Sequence, residues 1–254
     1  MYFREELLQT RDLTVASIKS RYRKTWAGFI WVLLNPLMMF GVQSLVFRKF
    51  LKLDIPDYFL FLLGGLLPWI FLTTTVQMGT PAFVSHSLLL RSFKINPMVV
   101  LSAQVLDGFI NFVASFILIL LPLYLFSDRS MVSLVLLPMA IVPLLIGTLG
   151  MTITLSILNV FYRDLNFVMG FLFNLLFFLT PIFYPKEYVP PQYEWLIHLN
   201  PINYLIDPFR SVVYDNSFEL FFFYFLKSML VALGFVLLAY FTWKRRRNEF
   251  YRIL

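Results

Sequence analysis

The sequence predicts an all-α polytopic membrane fold: six transmembrane helices, an N-terminal amphipathic interfacial helix, and short re-entrant extracytoplasmic helices between spans five and six. Three observations predict it. Only 14% of the 254 residues are charged, against about 25% in soluble domains, and 59% are hydrophobic. Two stretches of 33 residues, Tyr58 to Leu90 and Ser130 to Tyr162, contain no Asp, Glu, Lys or Arg. A bilayer core about 30 Å thick needs about 20 apolar residues as a helix, so each stretch crosses once with residues to spare. An ordinary soluble enzyme is excluded.

Within residues 1–28, positions 3–26 place Leu7, Leu8, Val15, Ile18, Tyr22 and Trp26 on one side at 100° per residue, with Asp12, Lys19 and Arg23 toward the other. This reads as a cytoplasmic amphipathic helix lying in the interface, although Arg11 falls inside the apolar sector. Residues 29–243 form the six-span domain. The first span, Phe29 to Phe47, ends in a charged loop whose Pro56 cannot continue a helix. The second runs from Tyr58 to about Gly79, and a short connector follows, centred on residues 87–97. Spans three to five are Met98 to Phe126, about Met131 to Val160, and Leu165 to Pro185. The sixth, Leu220 to Trp243, stops at Lys244, Arg245, Arg246 and Arg247, leaving 244–254 as a basic tail.

Alternate loops carry fourteen Lys and Arg on the side of both termini and seven on the other. The positive-inside rule therefore puts both termini in the cytoplasm, in the cytoplasmic (inner) membrane. The net charge of +7 sits beside the apolar runs, which fits headgroup contact and argues against nucleic acid. The segment at about 186–219 is too apolar for a free loop and too broken by Pro190-Pro191, Asn200-Pro201 and Asp207-Pro208 to span. Short helices shielded by protein or water fit it, and it could cap an exit.

Neither a G-x-x-x-x-G-K-[ST] loop nor a G-x-G-x-x-G turn occurs, so this chain has no standard nucleotide cradle. His86 and His198, the only histidines, lie far apart and there is no cysteine, so no metal site is expected. Asp107, the one acid deep in a span, shares a helix face with Gln104, Asn111 and Ser115. An intramembrane carboxylate marks either function or helix-to-helix hydrogen bonding, and in both cases the stripe faces protein. Asn35, Met39 and Gln43 share a face of the first span, and Phe167, Phe171, Asn174 and Phe178 a face of the fifth. Rings interspersed with amides suit a sugar chain, because pyranose C–H faces stack on rings while amides bond hydroxyls; ordinary lipid-facing phenylalanine is the plainer reading.

Several fragments stand in a telling order: Arg11-Asp12-Leu13, Arg21-Tyr22, Gly28-Phe29, Trp31 and Pro36; Leu63-Gly64-Gly65-Leu66-Leu67-Pro68-Trp69; Tyr162-Arg163-Asp164-Leu165; Thr180-Pro181-Ile182-Phe183-Tyr184-Pro185; then Asn200-Pro201 and Arg210. In this order, from about Leu7 to Tyr251, the chain resembles the membrane subunits of ATP-binding-cassette polysaccharide exporters, the O-antigen (Wzm-type) and teichoic-acid permeases. Two departures are Trp26-Ala27 before Gly28, and Asn96-Pro97-Met98 after the connector.

The resemblance implies a homodimer enclosing a channel, bound to two copies of a separate cytoplasmic ATPase that carries ATP and Mg2+, with no cofactor and no catalytic site in this chain. The cargo it implies is a polysaccharide on a polyprenyl-diphosphate lipid. The connector matches the family's coupling helix, which makes Ser87, Leu88, Arg91, Phe93, Lys94 and Pro97 the candidate contacts to the ATPase. The 186–219 segment resembles its gate helices, with Tyr184, Trp195, Asn200 and Arg210 as gate candidates. Rival readings are a drug or lipid exporter permease, a membrane-embedded transferase using Asp107 as base, and a proton-coupled transporter.

Overall fold

Inside a bilayer the backbone has no water to bond, so long apolar runs satisfy their own polar groups as helices. The computed structural model describes residues 2–22, 30–93, 95–127 and 131–253, and among them it contains helices and no strand. Helix α1 is Tyr2–Tyr22. Helices α2 (Ile30–Phe50), α3 (Tyr58–Gly79), α6 (Pro97–Leu125), α7 (Val132–Phe161) and α11 (Phe218–Ile253) are each long and apolar enough to cross a membrane. Between α3 and α6 lie the one-turn α4 (Ala82–Ser85) and the connector helix α5 (Ser87–Phe93). Helix α8 is Leu165–Leu179. Short helices α9 (Glu194–Leu199) and α10 (Pro201–Arg210) precede α11.

The fifth expected span is shorter as a helix than its apolar run. Helix α8 ends at Leu179, and Thr180 is extended at φ −92° and ψ 127° because a residue before proline is driven out of the helical region. Fifteen residues rise about 22 Å, less than a bilayer core. The non-helical Thr180 to Phe183 segment carries the chain onward until the Tyr58 hydroxyl, at the start of α3, donates to the Phe183 carbonyl (3.0 Å). The segment beginning four residues after α7 therefore leads from the Phe161 end of the bundle to the Tyr58 end.

Helix α3 is the centre of the bundle, with 83% of its apolar window buried against 6% for α2. Its Leu60, Leu63, Leu66 and Leu72 are fully enclosed. Hydroxyls inside the spans bond back along their own helices, as Thr73 does to the Trp69 carbonyl and Thr148 to Leu144 (2.8 and 2.7 Å). A second apolar cluster closes one end of the bundle: Phe83, Leu90, Leu101, Ile157, Val160 and Phe250. Leu13 of α1 also packs there, so both terminal helices reach the same end.

Helix α11 continues through the basic residues to Ile253, since nothing between Lys244 and Ile253 breaks a helix and Arg246 pairs with Glu249 (3.0 Å). Its 36 residues rise about 54 Å, well beyond a membrane core. The basic residues from 244 on are thus helical through Ile253.

Candidate functional site

The connector projects because its underside is anchored. Leu90 is buried in the cluster with Phe83, and Phe250 of α11 meets the Phe83 ring edge to face at 5.1 Å. Around it, Leu88 is 80% and Phe93 72% exposed, Arg91 is exposed and Ser87 is half-buried. Lys94 lies outside the described residues. Pro97 is buried at the first turn of α6, where its missing N–H costs nothing. Asn96 caps that helix by accepting from the Met98 N–H (3.0 Å), and its Nδ2 donates to Glu6 Oε1 of α1 (2.9 Å). The departure at Asn96-Pro97-Met98 is therefore a helix cap that ties the connector to α1.

Helix α1 runs alongside the first turns of α6. Glu6 meets Asn96 near its start, and eleven residues on, the Ser17 hydroxyl donates to Asp107 Oδ2 (3.0 Å). Asp107 is wholly enclosed, and Gln104, Asn111 and Ser115 are half-buried or buried, so the stripe faces protein as its spacing requires. Leu7, Leu8 and Val15 of α1 are exposed, with Arg4 and Arg11 exposed among them. The structure splits the stripe: Asp107 turns to α1, whereas Gln104 and Asn111 line a crevice with Asn35 between α2, α3 and α6.

Helix α8 carries an unbroken exposed strip of Phe167, Phe171, Asn174 and Phe178, with Phe171 71% accessible. The α2 triplet is less uniform: Asn35 is exposed, Met39 packs on the core and Gln43 is half-buried. The α2 helix and the segment after α8 meet where Phe47 stacks on Phe183, 4.3 Å between ring centres.

At the Tyr58 end, Arg210 is buried and its guanidinium donates to the carbonyls of Pro181 (2.6 Å) and Ile182 (3.1 Å). These carbonyls lie where Pro181 has ended the α8 ladder, so the fork satisfies backbone groups that the helix cannot. Gly65 of α3 makes room, since a side chain there would strike Arg210 Nη2. The same cation sits 4.4 Å over the Phe61 ring. Asn200 caps α10 by accepting from the Ile202 N–H (3.1 Å) and donates to Thr180 Oγ1 (2.7 Å). Tyr184 donates to the Phe178 carbonyl (3.0 Å). Trp195 is exposed.

Of the four gate candidates, Asn200 and Arg210 therefore anchor the segment and Trp195 is displayed. Beside Arg210 is a cavity of about 530 Å3 lined by Asp54, Lys186, Glu187, Asp207 and Asp215. Lys186 pairs with the buried Asp207 at 2.7 Å. The Asp215 carboxyl is held above the usual carboxylate range, because loss of hydration outweighs the opposing Arg210 charge.

Sequence reasoning missed Phe250, the Ser17–Asp107 bond, and the service of Gly65 to Arg210. The signal for Phe250 was an aromatic pair, Phe250-Tyr251, set among charges after Trp243 with no helix breaker before it. Among the described residues no group of three or more His, Asp or Glu side chains is placed to hold a metal ion.

Residues 8–214 match the family described as ABC-2 type transporter. The chain is 31% identical over 217 residues to a Myxococcus xanthus protein named O-antigen export system permease protein RfbA, covering 83% of this chain and 84% of the relative. A Klebsiella pneumoniae protein of the same name is 26% identical over 226 residues, covering 89% and 86%. An Escherichia coli protein named Polysialic acid transport protein KpsM is 22% identical over 218 residues, 83% of each chain. These relatives are named as transport proteins and permeases, not enzymes. With its long apolar helices and a family match over most of its length, this multi-pass membrane chain belongs to the ABC-2 type transporter family.

Proposed function

We propose that this chain is the permease subunit of an exporter that moves a polyprenyl-diphosphate-linked polysaccharide, of O-antigen or teichoic-acid type, outward across the cytoplasmic membrane. The observation that carries this reading is the likeness to a permease named for O-antigen export over more than four-fifths of both chains. Two copies of the chain form the channel. A separate cytoplasmic ATPase, also in two copies, binds ATP and Mg2+ and supplies the energy.

The chain crosses six times, the fifth crossing being α8 extended by Thr180 to Phe183, and both termini are cytoplasmic at the Phe83 end. The α8 strip supports this reading because a row of three exposed phenylalanines and one asparagine offers sugar faces a surface without any strongly directional contact. A polymer longer than the membrane cannot be enclosed whole, so a continuous path advanced by short strokes suits it. The exposed Leu88, Arg91 and Phe93 receive the stroke of the ATPase. The segment at about 186–219 closes the outer mouth, hung on Asn200 and Arg210.

The test is reconstitution in lipid vesicles of the chain, its ATPase and a lipid-linked glycan. Transport predicts that ATP makes the glycan resistant to an added glycosidase, and that omitting either protein abolishes the effect. Glycan chemistry that proceeds with the ATPase absent would replace this reading by a membrane-embedded transferase.

A further inference from the structure

Helix α11 rises about 54 Å over its 36 residues, and a tilt of about 20° takes only about 3 Å from that. A bilayer with its headgroups is about 40–45 Å thick. Even with Phe218 at the outer edge of the headgroups, about the last four to seven residues of α11 therefore stand past the opposite edge, in water. Glu219, in the first turn, fits a start at that outer edge. The far end is placed by its packing. Phe250 is buried in the cluster with Phe83 and Leu90, so this end of α11 lies beside the connector.

Tyr251 follows Phe250 about 100° around the helix and is 64% exposed, although its ring touches those of Trp243 and Phe250. Arg247, one turn earlier on the same face, is exposed, and so is Arg252 beside it. Arg246 belongs to another face: it pairs with Glu249 (3.0 Å) and lies over the Phe161 ring at 5.0 Å. A tyrosine in the headgroup layer has lipid for company, but one past that layer is a ring in water. Tyrosine and arginine are the residues that most often anchor contacts between proteins, because each joins a broad apolar face to a polar head. The neighbouring connector displays Leu88, Arg91 and Phe93, so two elements of like chemistry, apolar with cations, project at the same end.

We propose that the face of α11 bearing Arg247 and Tyr251 is a second docking contact for the ATPase, beside the connector, and that it takes a patch of that partner which is apolar and edged by carboxylates. It rests on the coupling role proposed above for Leu88, Arg91 and Phe93. Position selects the occupant: a soluble partner seated on the connector comes within reach of the adjoining end of α11, whereas lipid headgroups lie short of Tyr251. Because Leu90 and Phe250 share one cluster, a partner that grips both elements moves the connector and α11 as one body.

The chain has no cysteine, so a single introduced thiol carrying a benzophenone reports what it touches. Tyr251→Cys places one on the α11 face, Leu88→Cys on the connector, and Phe241→Cys on an exposed side of α11 ten residues earlier. Each variant is illuminated in native membranes that hold the ATPase. Positions 251 and 88 should cross-link to the ATPase and position 241 should not. Cross-linking at 88 alone, with 251 reaching only lipid or a second copy of this chain, would overturn the second contact and leave the connector's role standing. Cross-linking at neither would remove that role as well. As a second readout, Arg247→Glu with Tyr251→Ser should lower the ATPase retained on the immobilised permease about three- to tenfold. The thermal midpoint should not change, since both side chains are exposed. Unaltered retention, or a fall in thermal midpoint that accompanies the loss of ATPase, would overturn the contact.

Discussion

The guanidinium of Arg210 occupies the volume that a side chain on Gly65 would fill, and from there it bonds the Pro181 and Ile182 carbonyls. Three distant parts of the chain thus meet at one cation. Gly65→Ala should displace Arg210 and lower the thermal midpoint of the purified protein. Arg210→Met should lower it too, by leaving two carbonyls unpaired. The two losses should not add: once Gly65→Ala has displaced the fork, Arg210→Met has less to remove, and a double-mutant cycle of thermal midpoints reads the coupling. Arg210→Lys should not rescue, since an ammonium cannot span both carbonyls with a planar fork.

Phe250 holds the connector from below. Phe250→Ala should cost about 3–5 kcal/mol at the cluster, because the hole it leaves lies between Phe83 and α11. The expected signature is faster hydrogen exchange over residues 87–93 than over α3.

Leu88 and Phe93 are solvent-facing in this chain, so replacing both by alanine should change stability by no more than about 0.5 kcal/mol. Binding of the ATPase should nevertheless fall, measured by how much of it is retained on the immobilised permease. Loss of folding together with loss of binding would mean that these residues serve the core instead.

Asn200 joins two elements, capping α10 and holding Thr180 at the end of α8. Asn200→Ala should cost about 1 kcal/mol for the cap and more for the stranded Thr180 hydroxyl. Asn200→Asp keeps the cap and loses the donor to Thr180, so its thermal midpoint should lie between those of the native chain and Asn200→Ala.

Much of this architecture is legible from composition and breakers. The apolar runs at Tyr58 to Gly79 and Met98 to Phe126 become α3 and α6 within a residue, because burial and length decide a membrane helix. The α6 stripe is legible in part: period 3.6 groups Gln104, Asp107 and Asn111, but only the packing of neighbouring helices turns Asp107 to α1 and leaves Gln104 and Asn111 facing α2 and α3. Two things were not. A helix end that depends on Thr180 leaving the helical region before Pro181 is hidden when the run stays apolar to Pro185. The cluster of Phe83 with Phe250 joins residues 167 positions apart, and no periodicity reports such a contact.

The proposed role of this chain is export of a lipid-linked polysaccharide. The measurement that tests it most directly is depletion of the chain in its native host, with a membrane-impermeant sugar probe applied before and after lysis. Lipid-linked polysaccharide should accumulate on the cytoplasmic side, and the intact chain with its ATPase should reverse this. Normal surface polysaccharide with no internal pool, in a host lacking a second exporter, would overturn polysaccharide export and favour a drug or lipid cargo.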